Sequence, residues 1–278
     1  MSMPLRRLAA MALTGLAVAL PAQATPYSTD FSDMWWVGPE EDGWGLNVTQ
    51  QGEILFVTLF VYGTDNSARW FVVPAMAPTV SQPVTGTRFS GDLHQTTGPW
   101  FGGTFNPSQV AGNVVGTATI TFDSASTGTL SYSVHGTPVV KAIQRQTFRS
   151  NSVVGSYVGG MVATGSQCRD ASDNGPTYII GAVSVTQTAT QVSFQVEFDV
   201  GGQASTCLFT GTHVPSGRMA SVTSGNFSCV VGNVSANRGT FTMTALDAQR
   251  NGFHATFTGV DQFCTYNGRF GATRESGG

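Results

Sequence analysis

Four tryptophans and one acid are the residues best suited to recognise a ligand. Trp35, Trp36 and Trp44 lie within ten residues of one another, separated by Glu40, Glu41 and Asp42, and Trp70 follows one strand later. Sugars and flat apolar molecules stack on indole rings, and a carboxylate such as Glu41 accepts hydrogen bonds from hydroxyls. A β-barrel collects groups of this kind at its mouth. The competing use is structural. The tryptophans would then fill a barrel, with Gly43 and Gly45 giving the backbone room beside Trp44. Trp35 and Trp36 are adjacent, so in a strand they point to opposite faces, one inward and one outward. The ligand set expected from sequence is therefore Trp35, Trp36, Trp44, Trp70 and Glu41, taking a small apolar or sugar-like molecule.

Other chemistry finds less support. Three consecutive acids diverge in direction, whereas a glycosidase needs two carboxylates facing across a cleft. Asp170, Asp173 and Asn174 fall short of a twelve-residue calcium loop. His94, His135, His213 and His254 have no partner at metal-ligand spacing. No G-x-S-x-G elbow, Walker loop or H-E-x-x-H occurs, so no cofactor, metal or catalytic residue is expected. A hydrolase site assembled from distant segments, or a purely structural envelope module, are the alternatives to a non-catalytic binding protein.

The residues Trp35-Trp36-Val37-Gly38-Pro39-Glu40-Glu41-Asp42-Gly43-Trp44-Gly45, then Gln50-Gln51-Gly52 and a strand ending Phe60-Val61-Tyr62, form a signature. With Arg69-Trp70-Phe71-Val72 it resembles a family of uncharacterised exported proteobacterial proteins. Their pattern is W-W-x-P-x-E-S-G-W-G, then Q-Q-G, then L-F-x-x-x-F-x-Y and a second tryptophan strand. Gly38 before the proline and Asp42 in place of Ser depart from it. The resemblance covers roughly residues 33 to 75. It implies a Gram-negative source and export, and it assigns no activity.

The elements that must position these residues are strands. Phe194, Val196 and Phe198 alternate with Gln195, Glu197 and Asp199, the period-two pattern of a half-buried strand. Strands are expected at 46–50, 54–62, 69–75, 116–122, 129–134 and 139–148. In the second half they are expected at 183–187, 191–200, 205–212, 239–245, 253–258 and 263–270. Gln51-Gly52 and Thr64-Asp65-Asn66-Ser67 supply turns.

The halves echo each other. Asn47–Gln50 matches Ser184–Gln187, Thr85–Thr87 matches Thr210–Thr212, and the 21 residues from Gly116 match those from Gly239. Each half then reaches an arginine, Arg149 and Arg274. The fold expected is all-β: two tandem antiparallel meander barrels, or barrel-like sandwiches, related by an internal repeat. The boundaries are a signal peptide at 1–24, a Trp-rich domain at 25–149 and a disulfide-containing domain at 150–278.

Composition sets where such a chain works. Arg6 and Arg7, the apolar run Leu8–Leu20 and the small-x-small Ala22-Gln23-Ala24 form a secretory signal, cut after Ala24. Removing it leaves 11 basic and 16 acidic side chains, a net of about −5, with Lys141 the only lysine. No basic face for nucleic acid is visible, and no membrane span is expected after cleavage. A periplasmic or secreted location follows, with a small ligand or an envelope protein as partner. Four cysteines in an exported chain imply two disulfides, since no zinc knuckle spacing exists. If the second half is a closed barrel, its first and last strands are neighbours, which favours Cys168 with Cys264 and hence Cys207 with Cys229. All five tryptophans fall in the first half and all four cysteines in the second.

Overall fold

A computed structural model describes residues 29–79, 87–232 and 234–275. The signal segment expected at 1–24 lies outside the described residues. The first barrel runs through β1 (Asp33–Trp36), β2 (Gly45–Gln51), β3 (Ile54–Tyr62), β4 (Ala68–Pro78), β5 (Thr87–Thr97), β6 (Ala111–Phe122), β7 (Thr127–Val134) and β8 (Thr137–Arg145). The second runs through β9 (Gly155–Ser166), β10 (Gly175–Gln187), β11 (Gln191–Val200), β12 (Gln203–Ser216), β13 (Met219–Val231), β14 (Val234–Gln249), β15 (Gly252–Asp261) and β16 (Thr265–Arg274). Each is a closed antiparallel meander of eight strands. β1 meets β8 through Trp35↔Arg145, and β9 meets β16 through ten paired positions from Thr265↔Ser166 to Arg274↔Tyr157. Closure removes the unpaired edges that an open meander would expose.

Period two decides what enters the lumen. Leu46 and Val48 of β2 point in while Asn47 and Thr49 point out. Val192, Phe194 and Val196 of β11 do the same against exposed Gln191 and Glu197. Both lumens are packed with apolar side chains, a pattern opposite to that of membrane-spanning barrels, whose interiors are polar and outer faces apolar. In the first barrel Phe31 stacks on Phe122 at 3.9 Å between centroids, and Trp35 packs against the same ring at 4.9 Å. In the second, Phe209 makes edge contacts with Phe241, Phe257 and Phe270.

Each barrel is plugged at one end by the same device. In the first, Trp35 Nε1 donates to Phe31 O at 3.0 Å, Phe31 N donates to Gln50 Oε1 at 2.9 Å, and the Arg145 guanidinium lies 4.9 Å over the Trp35 ring. In the second, Tyr157 OH donates to Val153 O at 2.8 Å, Val153 N donates to Gln187 Oε1 at 2.9 Å, and Arg274 lies 4.7 Å over Tyr157. The repeat is thus structural as well as sequential. The Asn47–Gln50 and Ser184–Gln187 segments sit in equivalent second strands, and the segments from Gly116 and Gly239 in equivalent sixth and seventh strands. Two expected equivalences change. Thr87 opens a fifth strand whereas Thr210–Thr212 lies in a fourth, and the partner of Arg274 is Arg145, not Arg149, because the strand stops at Arg145.

The plugged ends meet. The β12–β13 turn, Gly217-Arg218, inserts under the first barrel. Gly217 N donates to Thr147 Oγ1 at 2.7 Å, and Arg218 N donates to Asp33 Oδ2 at 2.8 Å. The Arg218 guanidinium pairs with Asp30 at 2.8 Å and Asp247 at 3.2 Å. Gly217 has φ 60°, and a Cβ there would collide with the Asp33 carboxylate, so the approach needs glycine. Both mouths therefore lie at the ends away from the junction.

Candidate functional site

The five residues singled out from sequence do not converge. Trp35 is fully buried in the plug. Trp36 points outward, as adjacency requires, and Gly45 beside it lets the Trp35 carbonyl approach where a Cβ would stand 2.9 Å from that oxygen. Trp70 is half exposed on the outer wall opposite Phe60. Only Trp44 and Glu41 meet, at the mouth of the first barrel.

There the short 3₁₀ turn Pro39–Glu41 carries Glu41 toward the lumen. Trp44 Nε1 donates to Glu41 Oε2 at 2.9 Å, and Lys141 Nζ donates to both carboxylate oxygens at 2.8 Å. Lys141 lies on the inward face of β8, two residues from buried Ile143, and 5.9 Å from the centre of the Trp44 ring. The hydrogen bond from Lys141, then that from Trp44, lowers the Glu41 pKa. Tyr132 stands nearby; burial raises its pKa, and the charge of Lys141 works against that rise. Lys141 was not singled out from sequence. Its position in an alternating strand, two residues before an apolar inward residue, carried the signal.

The second mouth was missed. A cavity of about 280 Å³ opens between the strand ends, floored by Met161, Phe209 and Phe257 and walled by Ile179, Phe198 and Phe227. The Cys207–Cys229 disulfide forms part of the wall. It joins directly opposed residues of β12 and β13, and Cys168–Cys264 ties the β9–β10 loop to the β15–β16 loop beside it. Both pairings agree with those expected from barrel closure. The polar groups at the rim converge on Asp261. Its Oδ2 accepts from Tyr266 Oη at 3.0 Å and Asn237 Nδ2 at 2.9 Å, while Oδ1 accepts from the Phe263 and Cys264 backbone at 2.8 Å. Burial pushes the Tyr266 phenol up to about 12, helped by its hydrogen bond to Asp261. With its proton committed to Asp261, Tyr266 offers the cavity a lone pair, as does the amide oxygen of Asn237. The cavity can therefore hold an apolar body and accept one hydrogen bond from it.

The remaining candidates have structural roles. Asp170 accepts from Ser172 N at 3.0 Å and caps the turn Ala171–Asp173, and Asn174 Oδ1 accepts from Cys168 N. His213 is buried inside the second plug, its Nε2 3.4 Å from Gln187 Nε2, and burial lowers its pKa. Among the described residues no cluster of three metal-ligating side chains occurs, and no helix is long and apolar enough to cross a membrane. Compared with protein-family models and with curated proteins, the chain finds no match.

Proposed function

We propose that this is an exported, non-catalytic binding protein that holds a small apolar molecule carrying a hydroxyl or amine in the mouth of its second barrel. The observation that carries the reading is the 280 Å³ cavity with one polar cluster at its rim. Ligand sites are typically about 300–1,000 Å³, mostly apolar, with few polar groups fixing orientation, so the cavity suits a ligand at the small end. The two disulfides brace its walls, as expected of a chain that folds in an oxidising compartment such as the periplasm or the exterior. The resemblance of residues 33–75 to exported proteobacterial proteins agrees with that location.

Octane, octanol and octanoate test it by NMR on protein with labelled methyl groups. Octanol should shift the Met161 and Ile179 methyls, and octanoate should bind more weakly because Asp261 repels it. Tyr266→Phe should weaken octanol and leave octane unchanged. A folded protein whose cavity methyls ignore all three compounds would sink the reading.

A second site is favoured by the inward-facing Lys141 of the first barrel. A ligand carboxylate could displace Glu41 from Lys141 and stack on Trp44, which preserves the tryptophan-rich half as a binding domain. Glu41→Gln should then tighten binding of an aromatic carboxylate, seen as a change in tryptophan emission. No change in affinity between the two proteins would remove it.

A further inference from the structure

The outside of the first barrel is not uniform. Large apolar side chains gather at its mouth end. Trp100, Phe101 and Phe105, on the β5–β6 loop, are 71%, 94% and 65% exposed. Phe60 and Tyr62 at the end of β3 and Trp70 at the start of β4 are 46%, 60% and 50% exposed on the wall below the same rim. Val110, Val114 and Val140 continue the apolar surface onto the starts of β6 and β8. At the plugged end the exposed large apolar residues are, among the described residues, Ile54 and Phe56 of β3, with Phe148 and Val154 in the linker.

The loop is built to present these rings. The Trp100 ring lies against Gly102, whose missing side chain makes the room, and Gly103 N donates back to Trp100 O at 3.2 Å. Asn106 Oδ1 accepts from Ser108 N at 3.0 Å and starts the turn Pro107–Gln109. Burial in this fold therefore does not explain Phe101. A residue exposed to that degree loses roughly 1.5–3 kcal/mol of potential burial, and three such rings on one tip call for a partner.

Three observations say what the partner is. The apolar residues spread over the β3, β4, β6 and β8 sides of one end, which fits a plane laid across the barrel rather than a groove against one wall. The tip is convex, so a protein partner would need a matching pocket, whereas lipid headgroups part around it. No Asp, Glu, Lys or Arg occurs from Leu93 to Phe122, so the tip of the β5–β6 hairpin enters a low-dielectric layer without desolvating an ion, while Arg88 and Asp92 lie nearer the plugged end of β5. Tryptophan and its aromatic relatives prefer the headgroup level of a bilayer. Of the charges at this end, Asp65 is paired with Arg69 and Glu41 with Lys141. Exposed Glu40 and Asp42 lie on the β1–β2 loop, across the barrel from the β5–β6 loop but on the loop whose Gly43 O accepts from Tyr62 Oη at 3.0 Å, so they stay at the aqueous level of the headgroups while the β5–β6 tip inserts. Their negative charge matches an uncharged surface better than an anionic one.

We propose that the first barrel docks on the interface of a bilayer with uncharged headgroups, inserting Trp100, Phe101 and Phe105 with Phe60, Tyr62 and Trp70 beside them. The site is independent of the ligand cavity, which opens at the far end of the molecule. The test is sedimentation of the exported chain, processed after Ala24, with phosphatidylcholine vesicles. Bromine-labelled phosphatidylcholine should quench part of the tryptophan emission. Phe101→Asp combined with Phe105→Asp should weaken partitioning by roughly tenfold or more, while Phe56→Asp at the plugged end leaves it unchanged. Exposed loop positions make loss of folding an unsuitable explanation, and circular dichroism checks it. Failure of the parent chain to bind phosphatidylcholine overturns the proposal. So does binding confined to anionic vesicles and abolished by salt, or self-association through the loop with no affinity for vesicles.

Discussion

Replacing Arg145 with alanine should unfold the first barrel far more readily than the matching change unfolds the second. The Arg145 guanidinium donates to Ala125 O at 2.6 Å, Asp30 O at 2.6 Å, Ser32 O at 3.1 Å and Asp33 Oδ2 at 2.9 Å. Its side chain is fully buried and that of Asp33 nearly so. Burial lowers the arginine pKa, and the bond and charge of Asp33 oppose that loss. Removing the cation strands a buried carboxylate and three carbonyls, which costs about 3–5 kcal/mol for a buried pair broken on one side. Arg274, by contrast, reaches one carbonyl at 3.3 Å and the Tyr157 phenol at 2.7 Å, with no carboxylate. Its loss should cost about 1–2 kcal/mol. All five tryptophans sit in the first barrel's half, so their emission reports that barrel during urea unfolding. Arg145→Ala should lower the urea midpoint by roughly 2 M, and Arg145→Lys should recover less than half of that because the fork geometry is lost. Equal midpoint shifts for Arg145→Ala and Arg274→Ala would refute the claim that the carboxylate and carbonyl cluster, rather than stacking alone, holds the plug.

Three further outcomes follow. Reducing the disulfides, which close loops of 96 and 22 residues, should destabilise the second barrel by about 4.7 and 3.4 kcal/mol in the chain-entropy limit. The tryptophan-reported transition of the first barrel should stay in place. His213 is held neutral by burial, so its folded-state pKa lies below the ordinary 6.5. Its contribution is complete above pH 6.5 and is lost as pH falls from there through the lower folded-state value, with a slope of up to about 1.4 kcal/mol per pH unit; His213→Gln should flatten urea midpoints below pH 6.5. Arg218→Ala removes the ion pair to Asp30 across the junction, together with the pair to Asp247 within the second barrel, and should leave both barrels folded while raising protease cleavage between Gln146 and Ser152, read by mass spectrometry.

Much of this fold was legible because alternation is a strong signal where strands are long and apolar. β3 and β11 were placed to the residue. Four strands were not read. β1 has only four residues, β9 carries Gly155, Gly159, Gly160 and Gly165, β5 is interrupted by Ser90, Gly91 and Asp92, and β13 by Ser224, Gly225 and Asn226. Glycine in those strands serves close packing: a Cβ at Gly160 would strike the Ile179 carbonyl. The site was less legible for a different reason. Tryptophan clustering in sequence marks chemistry only if the side chains face one way, and period two sends Trp35 inward and Trp36 outward. The cavity residues Thr177, Phe198, Asn237 and Tyr266 are far apart in sequence and meet only through closure of the second barrel. Glu41, singled out from its two acidic neighbours, does meet Trp44, but its other partner Lys141 lies 100 positions away.

The junction of two plugged ends has a consequence for communication within the molecule. Neither barrel gives up its mouth to its neighbour, so each pole meets its surroundings on its own terms. A signal passing from one pole to the other would have to cross both plugs, and the polar route between them is narrow: Arg145 to Asp33, Asp33 to the Arg218 backbone, Arg218 to Asp247. A rigid bond chain of this kind transmits little unless it has a second arrangement. The closed middle is in this respect a spacer that holds the proposed ligand mouth and the proposed docking rim at opposite poles.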